Sequence, residues 1–188
     1  SDMTFNDCTA ECGSYFALTH CVNGWQEEVA DITVTGGDIH TKKECVLVKS
    51  HNMMLDLCDV NISSDKGILV HTIVNDDPCA TKVTKDVFGV NVVMTDMDVK
   101  GDLLHEDTTR EMWVMLNSTQ LTGAIQHANV AFDKGSKWVA TADSDVVFVT
   151  DVEPAQIDAP TGVTITAKGA QAGEFALAGG GTLVVTAL

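Results

Sequence analysis

The stretch VVMTDMDVKGDLLH (residues 92–105) is repeated by VMLNSTQLTGAIQH (residues 114–127). The two stretches align without a gap at an offset of 22 residues, so that Leu103 corresponds to Leu103 + 22, which is Ile125. A repeat with a period near 20 residues indicates units that cannot bury their own apolar face and must stack on their neighbours. We therefore expect Leu103 and Ile125 to point inward, one above the other.

A phrase of glycine, aliphatic residues and histidine closes both copies, and looser versions occur earlier in the chain. Glycine suits bends that need a positive φ or a close approach of two backbones. The recurrence predicts that each phrase marks the same corner of successive units and that its histidines form a loose column. The four versions span residues 37–40, 67–71, 101–105 and 123–127.

The segments between the turns have the composition of short strands. Bursts of about 4–7 residues rich in Val, Ile, Leu, Met and Thr alternate with turn sequences such as SSDKG and DKGSK, which is typical of strands. We predict an all-β fold, a right-handed parallel β-helix of about six to seven coils. Residues 1–188 are expected to form one domain, with residues 1–23 as an incomplete first coil or cap. An antiparallel β-sandwich also has short strands, but it does not explain the gapless repeat.

Charge restricts the classes of partner. The chain has 11 basic and 27 acidic residues, for a net charge of −16. Such a balance disfavours nucleic acid and anionic membrane surfaces, because both require clustered lysine or arginine. No run of 18 apolar residues occurs, so the sequence predicts no membrane insertion.

The sulfur-containing residues are interpreted mainly as core residues. The six cysteines permit three disulfides in any of fifteen connectivities. Cys45 and Cys58 lie in apolar runs, so we expect them to be small buried hydrophobes. The same expectation applies to six methionines, namely Met53, Met54, Met94, Met97, Met112 and Met115.

Three segments resemble the coils of right-handed β-helix regions in large bacterial cell-surface proteins, of the kind found in anaerobic gut bacteria. They are residues 36–72, residues 99–125 with the corner LTGAI, and residues 135–146 with the phrase WVATADS. The resemblance extends over most of residues 24–188. It implies an extracellular, adhesin-like or uncharacterised role, and a secreted or cell-surface location. It provides no catalytic motif, so we assign no catalytic residue.

Several polar residues remain candidates for binding. β-Helices also occur in polysaccharide lyases and hydrolases, which need Ca²⁺ held by acids with a nearby base, or two carboxyl groups about 5–10 Å apart. The acids of NDDP satisfy that composition but are also typical of an ordinary turn, which we favour. Two stacked histidines with an acid could hold Zn²⁺, although a metal-free polar ladder is the preferred interpretation. The candidates are Asp76, Asp77, His105, Glu106, Asp107, Arg110 and His127.

The function expected from the sequence is non-catalytic. The chain is interpreted as a surface or secreted β-helix segment, either adhesin-like or a structural stalk, without metal or cofactor. The alternative is a carbohydrate-active enzyme or a carbohydrate-binding module. The partners considered are a glycan or another cell-surface ligand, and further copies of the chain through the terminal coils. Residues 182–188 lack charge and proline, so we expect another chain or segment to cover that edge.

Overall fold

The computed structural model describes residues 2–20, 28–79 and 88–188. Within them the fold is all-β, with one short 3₁₀ helix at Pro154–Gln156. No helix in this part of the chain is long and apolar enough to cross a membrane. The strands are β1 Asp2–Asn6, β2 Thr9–Cys12, β3 Ala17–His20, β4 Val29–Thr35, β5 Asp38–Thr41, β6 Val46–Lys49, β7 Asn52–Cys58, β8 Asn61–Ser64, β9 Ile68–Ile73, β10 Val90–Thr95, β11 Asp98–Lys100, β12 Asp102–His105, β13 Met112–Asn117, β14 Gln120–Thr122, β15 Ile125–Phe132, β16 Lys137–Val139, β17 Ser144–Phe148, β18 Ile157–Asp158, β19 Thr164–Gly169, β20 Gly173–Ala176 and β21 Thr182–Ala187.

Strand pairing is parallel and follows a rule of three over the first two thirds of the chain. Strand β1 pairs with β4, β4 with β7, β7 with β10 and β10 with β13, while β3, β6, β9 and β12 form a second parallel series. Strands β2, β5 and β8 form a three-stranded sheet, and β11, β14, β16 and β18 a four-stranded one. The remaining strands belong to one 14-stranded sheet. This order is compatible with a solenoid, in which each strand returns to its own face after two others.

The internal repeat of the sequence is the register of the structure. Leu103 lies opposite Ile125 in the ladder between β12 and β15, and both side chains are 0% exposed. The prediction that they stack inward is confirmed. Gly101 and Gly123 also stack, because a Cβ at Gly123 would lie 2.0 Å from the carbonyl oxygen of Gly101. The repeated glycine is therefore required by backbone contact between neighbouring strands.

Alternate residues of the strands build a continuous apolar core. In β7 the side chains of Met53, Leu55 and Leu57 are buried, while Met54 and Asp56 point outward and are half-buried. The inward residues of neighbouring parallel strands lie opposite one another, as Leu55 does with Val92. Removing such aliphatic columns from water is the main favourable term in the stability of the fold.

The predicted histidine column is wrong. His40 belongs to β5 in the three-stranded sheet, away from the other three histidines. His71 lies opposite Leu104, so that His105 lies opposite Thr72. A shift of one residue moves a side chain to the other face of a sheet, and accordingly His71 points outward while His105 is buried. His127 has a φ of 58° at a bulge in β15 and is exposed.

The last strand is covered, but not by another molecule. Strand β21 pairs in parallel with β19 on one side and antiparallel with β20 on the other. The expectation of a covered edge at residues 182–188 is thus met within the chain, and the expected external segment is wrong. At the other end β1, β2 and β3 pair only with β4, β5 and β6 among the described strands. Self-association through the terminal coils stays a prediction, as does the single domain.

Candidate functional site

All seven candidate residues lie along one corner of the 14-stranded sheet. This corner, here called the variable corner, is formed by residues 50–51, 74–79, 88–89 and 106–111 and by His127. The connections between β6 and β7, β12 and β13, and β9 and β10 span 2, 6 and 16 residues, whereas in β15 a one-residue bulge replaces the corner. Connections that vary in length on a regular scaffold are common places for function. His105 ends β12, immediately before this corner.

His105 is held in a neutral form inside the corner. Its Nε2 lies 2.9 Å from the carbonyl oxygen of Arg110, and its Nδ1 contacts Thr72 Oγ1. A carbonyl oxygen only accepts, so Nε2 carries the proton and Nδ1 accepts from the Thr72 hydroxyl. Burial, the largest influence, lowers the pKa of His105. Both ring nitrogens are engaged, which removes His105 from the zinc pair with His127 that the sequence allowed.

Asp107 and Arg110 form a buried ion pair within the same turn. Arg110 Nη1 donates to Asp107 Oδ2 at 3.1 Å, and both side chains are 0% exposed. Asp107 Oδ1 also accepts from the backbone N–H of Thr109 at 2.9 Å and from its hydroxyl group. This closes the turn locally, as Asp side chains commonly do. The acid and base that the sequence brings together are therefore used to hold the loop.

Glu106 belongs to a separate, outward cluster with His71. Glu106 Oε2 lies 2.7 Å from His71 Nε2, and the other ring nitrogen of His71 lies 3.5 Å from Glu44 Oε1. Lys66 Nζ lies 3.4 Å from the same oxygen of Glu44. Burial, the largest influence, raises the pKa of Glu44, but its hydrogen bonds to the backbone and His71 and the charge of Lys66 lower it overall. The cluster joins three connected strands by charge.

Asp76 and Asp77 pair with a lysine. Lys49 Nζ lies 3.5 Å from Asp76 and 3.2 Å from Asp77, while His20 Nδ1 is 3.8 Å from Asp77. The hydrogen bond with Asp77, the largest influence, raises the pKa of Lys49. The backbone N–H of Asp77 donates to Asn75 Oδ1 at 3.1 Å, the local bond of a turn. The interpretation of NDDP as an ordinary turn agrees with this bond.

His127 lies apart from these groups, beside an open depression. The depression is lined by Gln126, His127, Asp143, Ser144, Asp145, Thr164 and Thr166. Across residues 2–20, 28–79 and 88–188, no three His, Cys, Asp or Glu side chains are grouped so that they could hold a metal ion. The structure thus places the seven candidates on one corner but divides them among separate contacts.

An exposed apolar feature was missed by sequence reasoning. On the outer face of β7, β10, β13, β15 and β17, six side chains form what we call the outer strip: Met54, Val93, Trp113, Met115, Ala131 and Val149. Trp113, Met115 and Val149 are 39%, 45% and 43% exposed. The expectation that all six methionines fill the core is wrong for Met54 and Met115. Alternation in MWVMLN, where Met112, Val114 and Leu116 are buried, was the signal that could have located this strip.

The outer strip has amide groups at its centre. Asn91, Trp113 and Asn129 lie opposite one another in successive parallel strands, so that an amide flanks the indole on each side. Asp31 and Asp56 lie on the same outer face, towards the first strands. The strip therefore combines an exposed indole, two amides and negative charge nearby.

The cysteines follow the sequence interpretation in part. The five described cysteines, Cys8, Cys12, Cys45, Cys58 and Cys79, are free thiols. Cys45 is fully buried, and burial raises its pKa to about 11. Cys58 is only half-buried, so its predicted place in the core is wrong.

Comparison of the chain with models of protein families, with curated proteins and with solved structures found no match. The function is therefore argued from the geometry of the variable corner and the outer strip.

Proposed function

We propose that the chain is a right-handed parallel β-helix of about six to seven coils that serves as a non-catalytic segment of a secreted or cell-surface bacterial protein. In this role it is a rigid, adhesin-like stalk that carries a ligand-binding face. The parallel pairing of every third strand and the stacked inward columns support the β-helix, because such a structure propagates along one axis through contacts between neighbours.

The observation that carries the non-catalytic role is the engagement of the reactive groups. His105, Asp107 and Arg110 are buried in contacts with one another and with Thr72, and Glu106 pairs with His71. A general acid or base must reach a proton of the substrate within hydrogen-bond distance. The candidates instead stabilise the connections of the variable corner, which favours a structural role for them.

A glycan panel tests this proposal when binding and product release are measured on the same samples. We expect no new reducing ends and no unsaturated products from any glycan, whether it binds or not. Product release above the protein-free blank, by an enzyme-free preparation of the wild-type chain, would contradict the non-catalytic role. A Glu106→Gln variant serves as a check, because Glu106 is the exposed acid of the corner.

Binding of a neutral glycan is the second candidate function, and the outer strip favours it. The apolar face of Trp113 provides a flat surface for a sugar ring, and Asn91 and Asn129 provide donors and acceptors for its hydroxyl groups. Asp31, Asp56 and the net charge of −16 disfavour acidic polysaccharides. Sites with an apolar surface and a few placed polar groups are typical of small-ligand recognition.

Affinity measurements with neutral and acidic glycans test the second candidate. We expect Trp113→Ala to abolish binding of a neutral glycan. Leu18→Ala is the matched control, since Leu18 is an exposed apolar residue, 46% accessible, on β3. Equal binding by wild type and Trp113→Ala would rule out the outer strip as the glycan site.

A further inference from the structure

Arg110 has a free pair of donors in a buried place. It is the only arginine of the chain, and its side chain is 0% exposed. Nη1 donates to Asp107 and, at 3.2 Å, to Thr109 Oγ1, but Nε and Nη2 have no hydrogen-bond partner. Nε and Nη2 lie on the same edge of the guanidinium group. Together they form a two-pronged donor whose spacing matches the two oxygens of a carboxylate.

A second unpartnered group lies near this donor pair. His51, in the connection between β6 and β7, has a buried Nδ1 without a hydrogen-bond partner. The positive charge of Arg110 acts on its ring, so the two side chains are electrostatic neighbours. Buried polar atoms in folded proteins are almost always hydrogen-bonded, and the exceptions need an explanation. Here three such atoms belong to two neighbouring residues of the variable corner.

We propose that Arg110 and His51 form a binding site for a ligand that carries a single carboxylate. The free edge of the guanidinium group binds both carboxylate oxygens, and the His51 ring contributes a further hydrogen bond through Nδ1. A monoanion suits the site better than a dianion such as phosphate. Asp107 already shares the guanidinium charge, and the whole chain is strongly negative. This site is separate from the outer strip, and the proposal does not rest on the proposed function.

Titration with acetate at constant ionic strength tests the site, with chloride as the reference anion and phosphate as the dianion. Because the chain has one arginine, its Nε–Hε group gives a single side-chain signal in a ¹H–¹⁵N spectrum. We expect that signal to shift with a saturable dependence on acetate, and the melting temperature to rise along the same curve. Phosphate is expected to act more weakly than acetate.

Two variants locate the effect. Arg110→Lys keeps the positive charge but lacks the two-pronged donor, so the affinity for acetate should fall about tenfold or more. Lys137→Met removes an exposed cation of β16 and should leave the response unchanged. If Arg110→Lys does not fold, the wild-type titration decides alone.

Three results would overturn the proposal. One is an arginine signal that acetate leaves unmoved, as expected if a carboxylate of the chain itself occupies the free edge. Another is phosphate binding as tight as acetate binding, which would exclude the monoanion. The third is a response that does not saturate or that persists in Arg110→Lys, which is general screening by salt.

Discussion

His105 lies opposite Thr72 in the ladder between β12 and β9, and it accepts the Thr72 hydroxyl proton in a hydrogen bond at Nδ1. The contact joins residues 33 positions apart inside the wall of the molecule. It turns what looks in the sequence like a surface ladder of histidines into a buried, neutral link between strands. The stability of the protein should therefore depend on pH through buried imidazoles.

Acidification below neutral pH should destabilise the fold. The pKa of His105 and that of His51 are lowered from 6.5, chiefly by burial, so the unfolded chain binds more protons than the folded one below about pH 6.5. Their contribution is complete above pH 6.5 and is lost as the pH falls through the folded pKa values. Urea unfolding at pH 7.5, 6.5 and 5.5 should show a falling free energy of unfolding, and His105→Gln should flatten that dependence. The sequence, which placed the histidines at a solvent-facing corner, predicted only a small effect; equal stability at the three pH values would support it.

Leu103→Asp should destabilise the protein severely. The residue is 0% exposed and stacked on Ile125, so the substitution buries an unpaired charge and costs about 4 kcal/mol or more. Leu104→Asp is the control one residue away, on the half-buried outer side opposite His71. Urea unfolding of both variants should show a much smaller loss for Leu104→Asp. Similar losses would contradict the inward column.

Gly123→Ala should destabilise through one methyl group. Its Cβ would lie 2.0 Å from the carbonyl oxygen of Gly101, so the two strands must separate, at a cost of about 1–3 kcal/mol. Gly13→Ala is the control, because a Cβ there meets no atom within 4 Å. Thermal unfolding should show a lower melting temperature only for Gly123→Ala. An unchanged value would mean that the two glycines are not in contact.

Phe175→Pro should promote self-association. Phe175 lies opposite Leu183 in the antiparallel pair of β20 and β21, and proline removes a backbone donor from that pair. Loss of β20 would expose the edge of β21 to other chains. Ala178→Pro, in the turn between the two strands, is the control. Light scattering against protein concentration should rise for Phe175→Pro alone; a monomeric Phe175→Pro variant would show that β20 does not protect this edge.

The part of the fold that could be predicted comes from a local pattern that repeats. Alternation within each copy determines which residues point inward, and the gapless offset of 22 residues aligns Leu103 with Ile125. The repeated glycine likewise predicts the backbone contact between Gly101 and Gly123. Parallel pairing follows, because residues that share a position in a stacked repeat must share a side of the wall.

The candidate site could be predicted only as a set of residues along a corner. Alternation in β13 contains Trp113 and Met115 on the side opposite to Met112 and Leu116, but only the structure shows that this side is left uncovered. The buried pair of Asp107 and Arg110 was equally invisible. Their separation of three residues does not say whether the loop folds inward or outward.

By itself, the sequence determined that the protein is all-β, that its strands stack in parallel with a repeat, and which side chains fill the core of the repeated segments. Only the tertiary structure decided where the histidines point and which polar groups are paired. The register between β9 and β12 changes at Asp102, so Thr72 rather than His71 lies opposite His105. The physical reason is that periodicity orients residues within a strand, whereas the offset between distant strands is set by the packing of the connections and bulges that join them.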